Sequence, residues 1–147
     1  MKSFVKMLPT CSMAVLFCAC LVGCNLSATY SADSIKTQLT NAGYVVSESF
    51  DLQFDDDTMA SQLPGIQKIF AIVKGEDADK EFSVILVFDS IKNADSGVND
   101  QRLCDIYDNA KYQCGSNKKD STTMGRFNNV VFAGPEACKQ AAGLKPF

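Results

Sequence analysis

Carboxylates and thiols carry the chemistry available to this 147-residue chain, because histidine and tryptophan are both absent. Without histidine, every Ser-His, Cys-His and zinc–histidine site is excluded, together with the commonest acid–base group near neutral pH. Asp51, Asp55, Asp56 and Asp57 form an acidic cluster, and clustered carboxylates are hard oxygen ligands of the kind calcium takes. The cluster lacks the alternating acid–glycine spacing of an EF-hand loop, so it reads as a solvated turn capping a short helix. Asn93, Asp95, Gly97, Asn99 and Asp100 resemble a calcium loop only superficially. On a helix these side chains fan out in different directions, and no glutamate closes the set. Glu76, Asp77 and Asp79 read as turn chemistry that keeps a loop tip wet. No G-x-S-x-G elbow and no glycine-rich phosphate loop is present, and the S-x-x-K string Ser3-Phe-Val-Lys6 lies in an apolar leader. No catalytic residue, metal site or cofactor is therefore expected.

The thiols fall into two groups. Cys11, Cys18 and Cys20 lie in the N-terminal apolar region and read as small hydrophobes, whereas Cys104, Cys114 and Cys138 lie in the body of the chain. If Cys104 and Cys114 share a straight helix, ten residues separate them by ~15 Å of rise, too far for a bridge. A disulfide would then join Cys114 to Cys138, or failing that Cys104 to Cys138. The alternative is three reduced cysteines. Their spacing fits no zinc pattern, which wants paired C-x-x-C ligands.

The N-terminus has the layout of an export signal. Lys2 and Lys6 give a positive start, Met13-Ala-Val-Leu-Phe-Cys-Ala-Cys-Leu-Val22 is unbroken apolar, and Gly23 is small. The word Leu21-Val22-Gly23-Cys24 that closes this stretch resembles a bacterial lipobox, the site of lipid attachment to cysteine. That resemblance covers residues 1–24 only. It implies removal of residues 1–23, a diacylglyceryl (palmitate-type) group on the Cys24 sulfur, and an address on the outer side of the cytoplasmic membrane. The other reading is an uncut N-terminal membrane anchor, since no charge occurs from Met7 to Ala32. Pro9 and the polar Asn25, Ser27 and Thr29 leave only the ten-residue core strongly apolar, which is signal-peptide length. Residues 24–30 then form a short tether that keeps the domain near the bilayer.

Removal of residues 1–23 takes out Lys2 and Lys6 and no acid, which leaves 12 basic and 17 acidic groups and a net charge of −5. Such a chain is a poor partner for nucleic acid, whose binding requires positive surface to displace counterions. Anionic lipid would not attract it either, so the membrane partner is reached through the lipid on Cys24.

Residues 31–147 read as one domain. Ser31 caps a helix whose Ile35, Leu39 and Ala42 share a face, and Gly43 stops it. Residues 44–54 alternate as a strand with one wet face, and a short helix ends near Pro64-Gly65. Residues 68–74 and 81–88 read as a hairpin, the second strand apolar almost throughout and therefore central. Phe70, Ile72, Ile85 and Val87 point one way, with Ile69, Val73, Val84 and Leu86 opposite. A helix begins from Asp89 or Ser90, and its apolar stripe shifts at Ser96-Gly97, which calls for a break with Asp100 as the second cap. Residues 115–126 read as loop, 129–133 as a strand, and Pro135 opens a last helix that Gly143 ends. The expectation is an α+β, two-layer fold: a mostly antiparallel sheet of about four strands with helices on one face. The expected function is a membrane-anchored, extracytoplasmic, non-enzymatic binding module, with an envelope protein as partner. The alternatives are a small-ligand carrier with an apolar pocket, and, third, a histidine-free enzyme.

Overall fold

The structure, a computed structural model, describes residues 29–48, 53–54, 57–58, 63–76, 79–118 and 122–146. Its centre is a five-stranded antiparallel sheet, and the fold is α+β as expected. The strands are β1 (Val45–Ser47), β4 (Ile66–Lys74), β5 (Glu81–Phe88), β7 (Val130–Gly134) and β6 (Thr123–Phe127), in that spatial order. A separate two-stranded pair joins β2 (Gln53–Phe54) to β3 (Asp57–Thr58). The helices are α1 (Ala32–Asn41), α2 (Ile91–Gly97), α3 (Asp100–Gln113) and α4 (Glu136–Ala141).

β5 is central, paired with β4 on one side and β7 on the other. Its residues from Phe82 to Phe88 are all buried, which is why the segment reads as apolar almost throughout, Ser83 being the exception. The alternation that places Ile85 and Val87 on one face and Val84, Leu86 and Phe88 on the other feeds two separate cores. One core joins the second set to Ala94, Val98, Leu103, Ile106, Tyr107 and Ala110 of the α2–α3 segment. The other joins the first set to Ile35 and Leu39 of α1 and Cys138 of α4. Helices therefore cover both faces, where the sequence reading placed them on one. The reason lies in β5 itself: a strand apolar on both sides needs a dry layer on each.

A fifth strand accounts for the other difference. Residues 123–127, all but the last within the stretch expected as loop, form the edge strand β6, joined to β7 by the tight turn Asn128-Asn129. Asn128 adopts φ +53°, a left-handed conformation that asparagine tolerates better than other residues with a Cβ. Thr123-Met-Gly-Arg-Phe127 is too polar to announce a strand, because only the face that ends in Phe127 is dry and Arg126 stands on the opposite one with the exposed Met124. At the other side, a register shift between Ile66 and Lys68 admits one extra residue, Gln67, into β4. Ile66 and Ile69 consequently face the same core.

The helix ends obey local chemistry. Ser90 accepts from the Asn93 amide at 3.2 Å and caps α2, and Asn99 accepts from the Arg102 amide at 2.8 Å and caps α3. Asn99, and not Asp100, is thus the cap of the second segment. α1 stops in a Schellman arrangement: the Tyr44 amide donates to Leu39 C=O and the Gly43 amide to Thr40 C=O, with Gly43 at φ +83°. α4 ends in the same way through Leu144 and Gly143. Of the short helix expected before Pro64, Thr58 lies in β3 and Leu63 is buried in the α2–α3 core; residues 59–62 lie outside the described residues.

Candidate functional site

The N-terminal edge of the described region, at Tyr30, forms the best-organised polar arrangement among the described residues. Asn129, in the β6–β7 turn, is only 3% exposed, and its side chain makes three hydrogen bonds. Its Oδ1 accepts from the Tyr30 amide at 2.6 Å, while its Nδ2 donates to Tyr30 C=O and to Phe88 C=O, each at 3.0 Å. The Asn129 carbonyl in turn accepts from the Phe88 amide at 2.8 Å. The Tyr30 hydroxyl accepts from the Lys145 amide at 3.1 Å. A buried amide with this many partners holds its neighbours in one place, because each bond left unmade would cost about 1–3 kcal/mol of uncompensated desolvation. Tyr30 is therefore pinned to a strand end, a hairpin turn and the last helix's exit.

Beside this clamp opens a cleft of about 630 Å³, lined among others by Thr29, Tyr30, Asp33, Gln67, Lys68 and Asp89. It is polar and open to solvent. Lys68 is not free within it, since its Nζ pairs with Glu48 at 3.2 Å, and Lys36 binds the other oxygen of the same carboxylate. Those two hydrogen bonds hold the Glu48 carboxyl below its ordinary value of 4.5. A second, smaller cleft of about 270 Å³ lies between Ile91, Asp95, Arg126, Phe127 and Asn128. Arg126 ties β6 to the α2–α3 junction: its guanidinium bonds Val98 C=O and reaches Asp100 Oδ1 at 3.1 Å.

Of the site residues read from the sequence, the structure describes Cys114 and Cys138 and sets them apart. Leu21-Val22-Gly23-Cys24, the apolar leader and the first residues of the tether lie outside the described residues, as do Asp51, Asp55 and Asp56. Asp57 belongs to β3. Cys114 and Cys138, read as disulfide partners, are separated by the sheet. Cys114 packs against the α2–α3 core and Cys138 sits in the α1–α4 core. A disulfide needs its Cα atoms about 4–7 Å apart, and a strand layer with side chains on both faces stands between these two. The same geometry removes the Cys104–Cys138 pairing, since Cys104 is on α3 and donates to Met124 Sδ at 3.6 Å. All three thiols are free. Burial pushes the Cys138 thiol up to about 11, only partly countered by a hydrogen bond with Ser83, and burial likewise raises Cys114. Neither is poised as a nucleophile, which requires thiolate.

Three residues of the calcium-like string have structural partners. Asn93 donates to Asp89 at 2.7 Å, Asn99 caps α3, and Asp100 faces Arg126. Among the described residues no three His, Cys, Asp or Glu side chains gather as a metal site, and no helix is long and apolar enough to cross a membrane. One string escaped the sequence reading: Ser116-Asn-Lys-Lys119 also has S-x-x-K spacing. Ser116 is in a loop, its hydroxyl donating to Lys80 C=O at 2.6 Å, so no helical turn aligns it with a lysine. Lys119 lies outside the described residues.

No family model, curated protein or solved structure matches this chain.

The Asn129 clamp is the arrangement that sequence reasoning missed. Its only advance signal was the doublet Asn128-Asn129 between two runs that alternate weakly, a hairpin-turn pattern. The interfaces between sheet and helices are filled: Ile35, Leu39, Ile85, Val87, Phe132, Leu86, Phe88, Leu103 and Ile106 are each exposed by 1% or less. Among the described residues, the clefts named above lie on the surface, at the end of the sheet and beside α2, and not between its layers.

Proposed function

We propose that this protein is a lipid-anchored, extracytoplasmic binding module that acts without catalysis, its domain presented to an envelope protein partner. The observation that carries the reading is the word Leu21-Val22-Gly23-Cys24 directly after a ten-residue apolar run that lies C-terminal to Lys2 and Lys6. Processing at Gly23 leaves Cys24 as the first residue, with a thioether-linked glyceride on its sulfur. Two or more acyl chains anchor stably, each buried methylene contributing about 0.8 kcal/mol. The binding role is supported by the chain's lack of histidine, by the burial that raises the thiols of Cys114 and Cys138, and by polar side chains already engaged in structural contacts. The filled sheet–helix interfaces favour it over the apolar-pocket alternative, which needs an enclosed volume of roughly 300 Å³ or more.

The test is expression in a bacterial host with labelled palmitate. The parent chain is expected to take up label, to sediment with membranes, and to yield an N-terminal peptide beginning at modified Cys24. Cys24→Ala is expected to remain unlabelled and unprocessed at Gly23. Equal labelling of both chains removes the reading. Cross-linking in intact cells, with mass spectrometry of the products, then identifies the partner; recovery of chains from the cytoplasm alone contradicts the proposed address.

A further inference from the structure

The point at which the chain leaves the domain is fixed, and it dictates how an anchored domain stands on its membrane. Thr29 and Tyr30 line the same cleft as Gln67, Asp89 and Asn129, so the exit lies at one particular end of the sheet. That end carries the start of β4, the end of β5 and the β6–β7 turn. Tyr30 cannot swing away from it while Asn129 holds its amide and carbonyl and Lys145 meets its hydroxyl. From Cys24 to Thr29 the chain reaches at most roughly 18 Å when fully extended. β4 runs away from this end, and Lys74 lies roughly 23 Å from Gln67 at the rise of a strand. The hairpin loop beyond Lys74 carries Glu76, Asp77 and Asp79 against the single cation Lys80, a composition that an anionic bilayer repels.

We propose that the sheet end bearing Tyr30, Gln67, Asp89 and Asn129 faces the lipid headgroups, and that the opposite end, with the Gly75–Lys80 loop and the close of α3, points away from the membrane. This rests on the proposed anchoring of Cys24. The two ends are joined by the strands and not by the tether, so the orientation belongs to the domain's exit geometry. The outward end is itself knit together: Ser116 donates to Lys80 C=O, and Lys118 pairs with Glu81 at 3.4 Å. Tyr112, 86% exposed in the last turn of α3, stands on this outward end.

The absence of tryptophan makes the orientation measurable with a single introduced indole. The full lipidated chain carrying either Gln67→Trp or Tyr112→Trp is reconstituted in phosphatidylethanolamine–phosphatidylglycerol vesicles containing a headgroup-attached nitroxide. Both changes leave the charge unaltered, and both positions are exposed. Indole fluorescence at position 67 is expected to be quenched several-fold more than at position 112. Insertion of ten Gly/Ser residues between Ser27 and Ala28 adds roughly 17 Å of root-mean-square reach and leaves the domain untouched. It is expected to bring the quenching at 67 down towards that at 112. Equal quenching at the two positions, or stronger quenching at 112, in protein that floats with the vesicles overturns the orientation and leaves the anchoring intact. Protein that does not float overturns both.

Discussion

The two faces of the sheet are equally dry, yet different parts of the chain close them. One face is covered by α2 and α3, a single insertion between β5 and β6, whereas the other is covered by α1 and α4 from opposite ends of the domain. Contacts on the first face can form as the chain between neighbouring strands folds back. The second face can close only when residues about a hundred positions apart have met, and the entropy of that loop must be overcome first. At the seam between those helices, a Cβ at Gly143 would meet only the flexible end of the exposed Gln38 side chain, its Oε1 2.4 Å away. The same face holds the buried thiol of Cys138 and the Tyr44 ring, over which Lys74 sits at 4.6 Å. The terminal helices are thus an essential half of the core and no veneer upon it.

The sharpest way to break this comparison is to empty each face in turn. Phe88→Ala on the α2–α3 face and Phe132→Ala on the α1–α4 face are each expected to cost about 3–5 kcal/mol in urea unfolding. A Phe132→Ala cost far below that of Phe88→Ala would reduce the second face to a covering. A smaller effect, of about 1–3 kcal/mol, is expected for Gly134→Ala, an overpacking change. The added methyl would sit 2.2 Å from Ser83 Oγ and 3.0 Å from Ser83 Cα, where backbone leaves it no room. Ser83→Gly in the same chain is expected to recover part of that loss; no recovery would place the clash elsewhere.

Thiol chemistry sharpens the comparison further. Cys138 titrates near 11 in the folded domain against an ordinary 9.0, so the unfolded chain loses that proton first. Stability is therefore expected to fall as pH rises from about 9 towards 11, and Cys138→Ala should flatten that limb of the stability profile. At pH 8, iodoacetamide is expected to leave Cys138 unmodified in the native protein and to label it fully in denaturant. Rapid native labelling would mean that the α1–α4 face opens readily. The smallest effect belongs to Glu48, whose carboxyl is held low by Lys36 and Lys68. Its contribution is present above the ordinary carboxylate value of 4.5 and is lost as pH falls through the lowered one, so Glu48→Gln should soften acid unfolding slightly. An unchanged acid limb would show that this exposed triad adds nothing measurable.

Much of the fold was legible because the patterns that carry it are local. Alternation in β4 and β5 assigned Phe70, Ile72, Ile85 and Val87 to one face and Ile69, Val73, Val84 and Leu86 to the other, as the two cores have them. Gly43 and Gly143 marked helix ends through their conformational freedom, and the stripe shift at Ser96-Gly97 marked the break between α2 and α3. What escaped was non-local. A polar edge strand such as β6 is specified by its pairing with β7, and its own sequence has little strand character. Cys114 and Cys138 stand 24 positions apart, and nothing in that spacing tells on which side of a sheet each will lie. The Asn129 clamp likewise joins residues 99 positions apart.

The contact between the Tyr30 hydroxyl and the Lys145 backbone makes neighbours of the two extremities of the described region, and a few glycines would span them. For protein engineering, a circular permutant opened in the loop between β4 and β5 would then retain every strand pairing of the sheet while moving the new termini to the pole opposite the old ones.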